Sequence, residues 1–540
     1  MDISVDIKAS KNRKKVFIVL FVVVAVVLLG IGFFFIYSHF LNTSNNSSGH
    51  QEDKENETYF ISDSISESLK ETVYDIAENK KWKQTNTEKD ADLKIEASPG
   101  IAYDDSEQNT KSFYQIIVPT KNWKLLTQKP SEITYKSGKI DTPNLEEIIG
   151  ERFTLNVKND SDEKGIHLDT LHELDATRIV VPVDNKVVFD KEWWKKPDYP
   201  LAYTIEISGD KDLINKFTSD TLFQEFLENF DYLEKLPSPE DFVTVAKTGT
   251  SVAGGPGWEL CERTHSMEYP IKDVKDFLSE SDIAILSNES SFVEGCSQSA
   301  GTTAFCGKPE YLQNLKTMGI DIVSLTGNHM ADYGRNVYAD TMSTYTNNDI
   351  AYFGAGANSQ EAWTPLIYNT QAGKIAFIGF NKMGPDGVIA TDQLAGSAYY
   401  DEAKLEAAIE QASSSADIVW VDTHLWPEYG TTPGNDQVEH SQESIDLGAD
   451  IVTGVSSHEI QGATFYHGKP VFYGLGNFLF DQMWSTETRQ GLVLSIHIYD
   501  KGIRNIEIKP TILYDYCQPR FAEGSTNANL LNYVLEISSF

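Results

Sequence analysis

The chain has 540 residues, with 80 Asp and Glu against 45 Lys and Arg, and a formal net charge of −35 at pH 7. That length is too great for one hydrophobic core, so several domains are expected. The negative charge argues against nucleic acid and anionic membrane surfaces as partners, and suits a soluble extracellular domain or one that handles cations.

Residues 1–15 are a basic segment carrying Lys8, Lys11, Arg13, Lys14 and Lys15. From Val16 to Tyr37 no charged residue occurs, and the run has the length of a membrane-spanning helix. Basic residues on its near side and Ser, Asn and Gly beyond it put the N-terminus in the cytoplasm and the rest outside. A cleaved signal peptide is the rival reading. The run is long for such a segment and no small-x-small site follows closely, so an uncleaved anchor over 16–37 is expected. Residues 38–58, polar and without aromatics from Asn42 to Thr58, read as a flexible spacer.

Residues 59–235 mix strand-like and helix-like segments and form an expected α/β domain. Ala91 to Glu96, Tyr114 to Pro119 and Thr177 to Val183 read as strands, and Lys211 to Asn229 as a helix. This part has few His and no Cys, so catalysis is expected elsewhere. Leu236-Pro237-Ser238-Pro239 reads as a linker, since two prolines restrict the chain.

From Phe242 a second α/β pattern runs to the end. Short apolar strands start at Phe242, Ile283, Ile322, Ile418 and Ile451, with helices over Ile271 to Ser279, Pro309 to Met318, Glu402 to Ala412 and Asp436 to Leu447. Hairpins are expected at Ala372-Gly373 and at His467-Gly468. His440 is expected on a solvent-facing side of its helix. The four cysteines all lie in the exported part, which fits an oxidising compartment. Cys296 and Cys306 flank a Gly/Ser/Thr loop and are expected to pair, leaving Cys261 for Cys517; spacing alone allows other connectivities.

Several strands of this half end in polar groups. Asp321 to Gly334 leads from an apolar run into Asn328, His329 and Asp332; the others deliver Glu289, His424 with Glu428 nearby, and His458. Parallel strands place their carboxyl ends on one edge of a sheet, so these residues can meet there. An amide oxygen, imidazoles and carboxylates suit divalent metals and phosphoryl groups. Gly474-Leu-Gly-Asn477 invites comparison with a phosphate-cradling loop, but it lies in a hairpin and is read as close packing beneath the site.

Five stretches carry a resemblance to a known family. They are L-S-N-E at 286–289, L-T-G-N-H-M-A-D-Y-G at 325–334, D-T-H-L-W-P-E-Y at 422–429, L-G-A-D-I-V-T-G-V-S-S-H-E-I-Q-G at 447–462, and G-K-P-V-F-Y-G-L-G-N-F-L-F-D at 468–481. They resemble, in the same order, the poly-gamma-glutamate capsule-synthesis (CapA-like) family, a branch of the calcineurin-like metallophosphoesterases. The resemblance implies a four-layer α/β/β/α sandwich over residues 236–540, with metal at the sheet edge. By position, Glu289 matches the bridging carboxylate, Asn328 and His424 match ligands of one metal, and His458 matches a ligand of the other. His329 matches the acid that protonates a leaving oxygen, Asp332 the group that orients it, and Glu428 the acid of a His-x-x-x-Glu segment. Two ligands are replaced: Thr250 stands near the place of an Asp, and Ser456 near that of a His. The remaining set suits one divalent ion, Mn²⁺ or Zn²⁺, with water completing its shell, and leaves a second ion short of ligands.

In the first half, L-D-A-T-R-I-V-V-P-V-D-N at 174–185 and P-D-Y-P-L-A-Y at 197–203 resemble the lobes of periplasmic solute-binding proteins, which implies ligand binding or docking there. The whole reads as a membrane-anchored, outward-facing protein for synthesis, export or attachment of an anionic capsule polymer. It is expected to meet that polymer or its synthase proteins and no nucleic acid. As an enzyme it would use a metal-activated water against a phosphoryl or acyl-type centre. The alternative is a scaffold or polymer-binding protein that kept the fold and lost the metal.

Overall fold

The structure is a computed structural model that describes residues 57–99, 109–122, 133–135, 153–155, 166–181, 188–189, 202–230, 232–252, 256–297 and 303–539. The expected anchor over 16–37 and its basic flank lie outside these residues. Among the described residues no helix is long and apolar enough to cross a membrane. Thr58–Phe540 is one compact unit.

The first half is built on a seven-stranded sheet. Its central strands, Leu93–Pro99, Ala202–Gly209 and Thr110–Asn122, pair antiparallel. The helix Glu67–Lys80 begins at Ser66, whose hydroxyl accepts the Leu69 N–H, and it buries Leu69, Val73, Ile76 and Ala77 on one stripe. The single helix expected over Lys211 to Asn229 is two, Lys211–Thr218 and Thr221–Asn229. Asp220 explains the break, because its carboxylate caps the second helix at the Leu222 N–H. Parts of the solute-binding-like stretches, 182–185 and 197–201, lie outside the described residues.

The second half is an α/β arrangement of two sheets. One has eight strands, in which Ala351–Phe353, Ile320–Ser324, Ile283–Asn288 and Phe242–Ser251 run parallel side by side. The antiparallel hairpin of Gln490–Tyr499 and Gly502–Tyr514 extends it on the other side. The six-stranded sheet holds Gly373–Asn381, Ile418–His424, Ile451–Gly454 and Lys469–Phe472 in parallel.

Period-two alternation assigns each strand two faces. Val243, Val245, Ile283 and Ile285 from one sheet share a core with Ile375, Phe377, Ile418 and Trp420 from the other. The opposite face of the first sheet, with Ala284 and Leu286, packs on Leu278, Leu315, Tyr338 and Met342 of helical segments. That of the second, with Val419 and Val421, packs on Leu405, Ile409 and Ile445. Helix, sheet, sheet and helix thus lie in sequence, and the carboxyl ends of the parallel strands reach one edge.

The halves share contacts. Ala176 and Ile179 join the inter-sheet core. The Arg504 guanidinium donates to the carbonyls of His172 at 2.7 Å and Leu174 at 3.1 Å. The expected linker is an ordered turn, in which Ser238 N–H donates to the Asp241 carboxylate at 2.7 Å.

Candidate metal centre

Glu289 follows the strand Ile283–Asn288 and is 1% exposed; its N–H donates to the Ser251 carbonyl at 2.9 Å. It lies against Gly327, where an added Cβ would come within 2.6 Å of the Glu289 Cα. Only glycine permits that approach, and it brings the next residue, Asn328, to the same edge. His424 ends the strand Ile418–His424 and is also 1% exposed. Its Nε2 lies 3.5 Å from Glu289 Oε1 and 3.2 Å from Asn328 Oδ1.

Glu289, Asn328 and His424 therefore converge from three chain segments, as their placement in the sequence implied. Neither Glu289 oxygen nor His424 Nδ1 has a hydrogen-bond partner, although all three atoms are buried. Burial pushes the Glu289 carboxyl well above its ordinary range, with Glu428 and Asp332 adding to the effect. Burial holds the His424 imidazole well below its ordinary range, helped by His458 and His329. The unpartnered, buried Glu289 oxygens, with His424 Nε2 close to Oε1, fit a bound cation, which offsets the cost of burying the carboxyl. Among the described residues no cluster of at least three His, Cys, Asp or Glu side chains is spaced to hold a metal. An ion here would rely on the Asn328 amide beside Glu289 and His424.

His329 Nδ1 lies 2.8 Å from Asp332 Oδ2. Asp332 also accepts the Phe305 N–H at 2.8 Å, and the Phe305 ring meets the imidazole edge-on at 4.7 Å. Phe305 precedes Cys306, and Cys296–Cys306 and Cys261–Cys517 are both disulfides. His458 has a positive φ of 55° and sends Nδ1 to Asn477 Oδ1 at 3.0 Å. Its Nε2 is 3.9 Å from Glu428, and Tyr429 stacks on the ring at 5.3 Å. Burial lowers the His458 imidazole to about 4 despite that Asn477 bond. Burial raises the Glu428 carboxyl above its ordinary range, while His329 works against the rise.

The two replaced ligands are fully occupied elsewhere. The Thr250 hydroxyl donates to the Val455 carbonyl. The Ser456 hydroxyl donates to the Leu425 carbonyl and accepts the Leu425 N–H at 2.9 Å. Thr250 ties the end of its strand to the segment at Val455, and Ser456 ties that segment to Leu425, near positions where the resemblance implies ligands. Gly474 packs as expected, since a Cβ there would meet Ser457 Oγ at 2.2 Å.

A second expectation fails. His440 is buried, 3% exposed, with Nε2 2.9 Å from Lys382 Nζ and Nδ1 3.0 Å from Glu443. A helix next to a sheet has one inward face, and the Lys382 and Glu443 contacts draw the imidazole into it. Lys247 and Asn477 were not singled out from the sequence. Lys247 continues the inward column of Val243 and Val245, which is the signal that marks it as buried.

Residues 243–482 match the model of a family described as bacterial capsule synthesis protein PGA_cap, in agreement with the motifs. The chain is 32% identical over 207 residues to the capsule biosynthesis protein CapA of Bacillus anthracis, covering 38% of this chain and 50% of that protein. It is 30% identical over 207 residues to the PGA biosynthesis protein CapA of Bacillus subtilis, covering 38% and 54%. It thus spans about half the length of these relatives. A phosphatase from Mycoplasma pneumoniae of known structure is 12% identical, with a TM-score of 0.33, over 50% of this chain and 94% of that one.

Proposed function

We propose, from the capsule-synthesis family to which residues 243–482 belong, that the chain acts in building or exporting an extracellular anionic polymer of the poly-gamma-glutamate kind. The reading includes an anchor at 16–37, the large domains outside the cell, and the polymer or its synthase proteins as partners. The observation that carries a metal-dependent role is the meeting of Asn328 and His424 Nε2 with the buried, unpartnered carboxyl oxygens of Glu289.

These three residues would hold one divalent ion, Mn²⁺ or Zn²⁺. When bound, such an ion supplies Lewis-acid polarisation of a phosphoryl or acyl oxygen. The chain's own contribution is proton handling and orientation. Asp332 takes His329 Nδ1, so Nε2 is the nitrogen left to give a proton to a leaving oxygen. Glu428, its carboxyl raised by burial, can hold a proton beside His458. Phe305 narrows the approach of water to His329.

A second reading is a scaffold or polymer-binding protein without turnover. The Thr250 and Ser456 hydroxyls favour it, because they serve loop carbonyls at positions where the resemblance implies ligands. Metal analysis of the full chain, purified without chelator, separates the two. The enzyme reading expects a retained divalent ion and hydrolysis of a model phosphodiester. Absence of binding at millimolar Mn²⁺ and Zn²⁺ leaves the scaffold.

A further inference from the structure

Beneath the site the gallery between the two sheets contains a charged layer. Lys247 is 0% exposed, and its Nζ donates to Asp422 Oδ2 at 2.9 Å and to Ser287 Oγ at 2.5 Å. Asp422 Oδ1 accepts from the Thr453 hydroxyl at 2.7 Å, and that hydroxyl accepts from Trp420 Nε1 at 2.8 Å. Lys247 and Ser287 belong to the eight-stranded sheet, Asp422, Thr453 and Trp420 to the six-stranded one.

The register makes this layer the floor of the metal centre. Side chains two positions apart on a strand share a face. Ile283, Ile285, Ser287 and Glu289 form one column, and Ile418, Trp420, Asp422 and His424 form the facing one. Each column passes from apolar core to this network to a metal-ligand position. Glu289 and His424 come from different sheets, so their separation depends on how those sheets are held.

A buried ion pair is no reliable source of stability, because desolvation offsets the attraction. Apolar residues would fill the layer without that cost. What the pair supplies is direction: a fork of hydrogen bonds with one geometry, where apolar side chains would let the sheets slide.

We propose that Lys247 and Asp422 are positioning residues, a cross-sheet clamp that sets the distance between Glu289 and His424 and thereby the affinity of the centre for its ion. The clamp rests on the metal-binding reading, and the test separates the two.

The full chain is titrated calorimetrically with Mn²⁺ as wild type, Lys247→Met/Asp422→Leu and Thr453→Val, with thermal unfolding measured in parallel. Removing groups that orient metal ligands typically weakens binding about 10- to 100-fold. The double variant should lose affinity in that range while unfolding close to the wild-type temperature. Thr453→Val keeps the ion pair but removes the bond to Asp422 and the acceptor of Trp420 Nε1, so it should lose several-fold in affinity and unfold somewhat earlier; it decides the matter if the double variant fails to fold. Ile285→Val, which thins the apolar layer of the same column, should unfold earlier with affinity unchanged. Wild-type affinity in both clamp variants overturns the clamp and leaves the metal reading standing. Absence of saturable Mn²⁺ binding in the wild type overturns both.

Discussion

At the residue scale, the centre is defined by three donors and two replacements. His424→Ala and Glu289→Ala should each abolish retained metal, since each removes one of the converging donors. His329→Ala should keep the metal and slow any hydrolysis, because it removes the proton donor alone. Metal analysis beside turnover of a model phosphodiester checks all three, and metal loss in His329→Ala would contradict the assignment. Thr250→Asp addresses the replacements. It should tighten Mn²⁺ binding by restoring a carboxylate, and cost about 1–3 kcal/mol of stability because the Val455 carbonyl loses its donor. Calorimetry and thermal unfolding give both values; weaker binding would show that position 250 does not face the ion. The convergence of Glu289, Asn328 and His424 was legible from their strand ends. The fate of Thr250 and Ser456 was not, since a hydroxyl's partner depends on loops distant in sequence, here Val455 and Leu425.

At the element scale, strand ends, caps and one disulfide loop position the chemistry. Apolar runs ending in polar groups revealed the parallel strands, because a buried strand tolerates polar side chains only where it emerges. The Gln490–Tyr499 and Gly502–Tyr514 hairpin went unnoticed, although Asp500-Lys501-Gly502 separates two alternating runs. Its second strand carries Arg504, Asn505, Glu507 and Lys509, a polarity that obscures a sheet member. The split helix near Asp220 was also missed, since an Asp that caps reads like one on a helix surface. The Cys296–Cys306 bridge closes the loop that delivers Phe305 to Asp332 and His329. Cys296→Ser/Cys306→Ser should cost about 2–4 kcal/mol, as a loop of this size generally does. It should also weaken the Asp332–His329 pairing, seen as altered imidazole resonances of His329 by NMR. Unchanged stability and resonances would mean that the loop is held without the bridge.

At the scale of the whole molecule, two sheets from distant parts of the sequence enclose one edge, and the first half leans on the second. His497 joins them: its ring stacks on Phe189 at 4.8 Å, and its Nε2 is 3.2 Å from Glu507. Burial alone would raise the Glu507 carboxyl, but His497 and Lys509 outweigh it and hold it at about 2, below its ordinary 4.5. A carboxyl lowered in the folded state stabilises fully above its unfolded value and loses that contribution as pH falls towards the folded one. Thermal unfolding should therefore fall more steeply between pH 5 and about pH 2 in the wild type than in Glu507→Gln; parallel curves would contradict the pairing. The overall α/β architecture and the shared site edge were legible because both follow from hydrophobic periodicity. The contact between the halves was not, since Arg504 and Asn505 read as surface residues until their partners in the first half are known. The central claim is that Glu289, Asn328 and His424 hold one divalent ion. Crystals of the full chain grown with Mn²⁺ and measured at the manganese absorption edge test it most directly. The account predicts an anomalous peak bounded by these three side chains; a peak elsewhere, or none while Mn²⁺ is present at millimolar concentration, would contradict it.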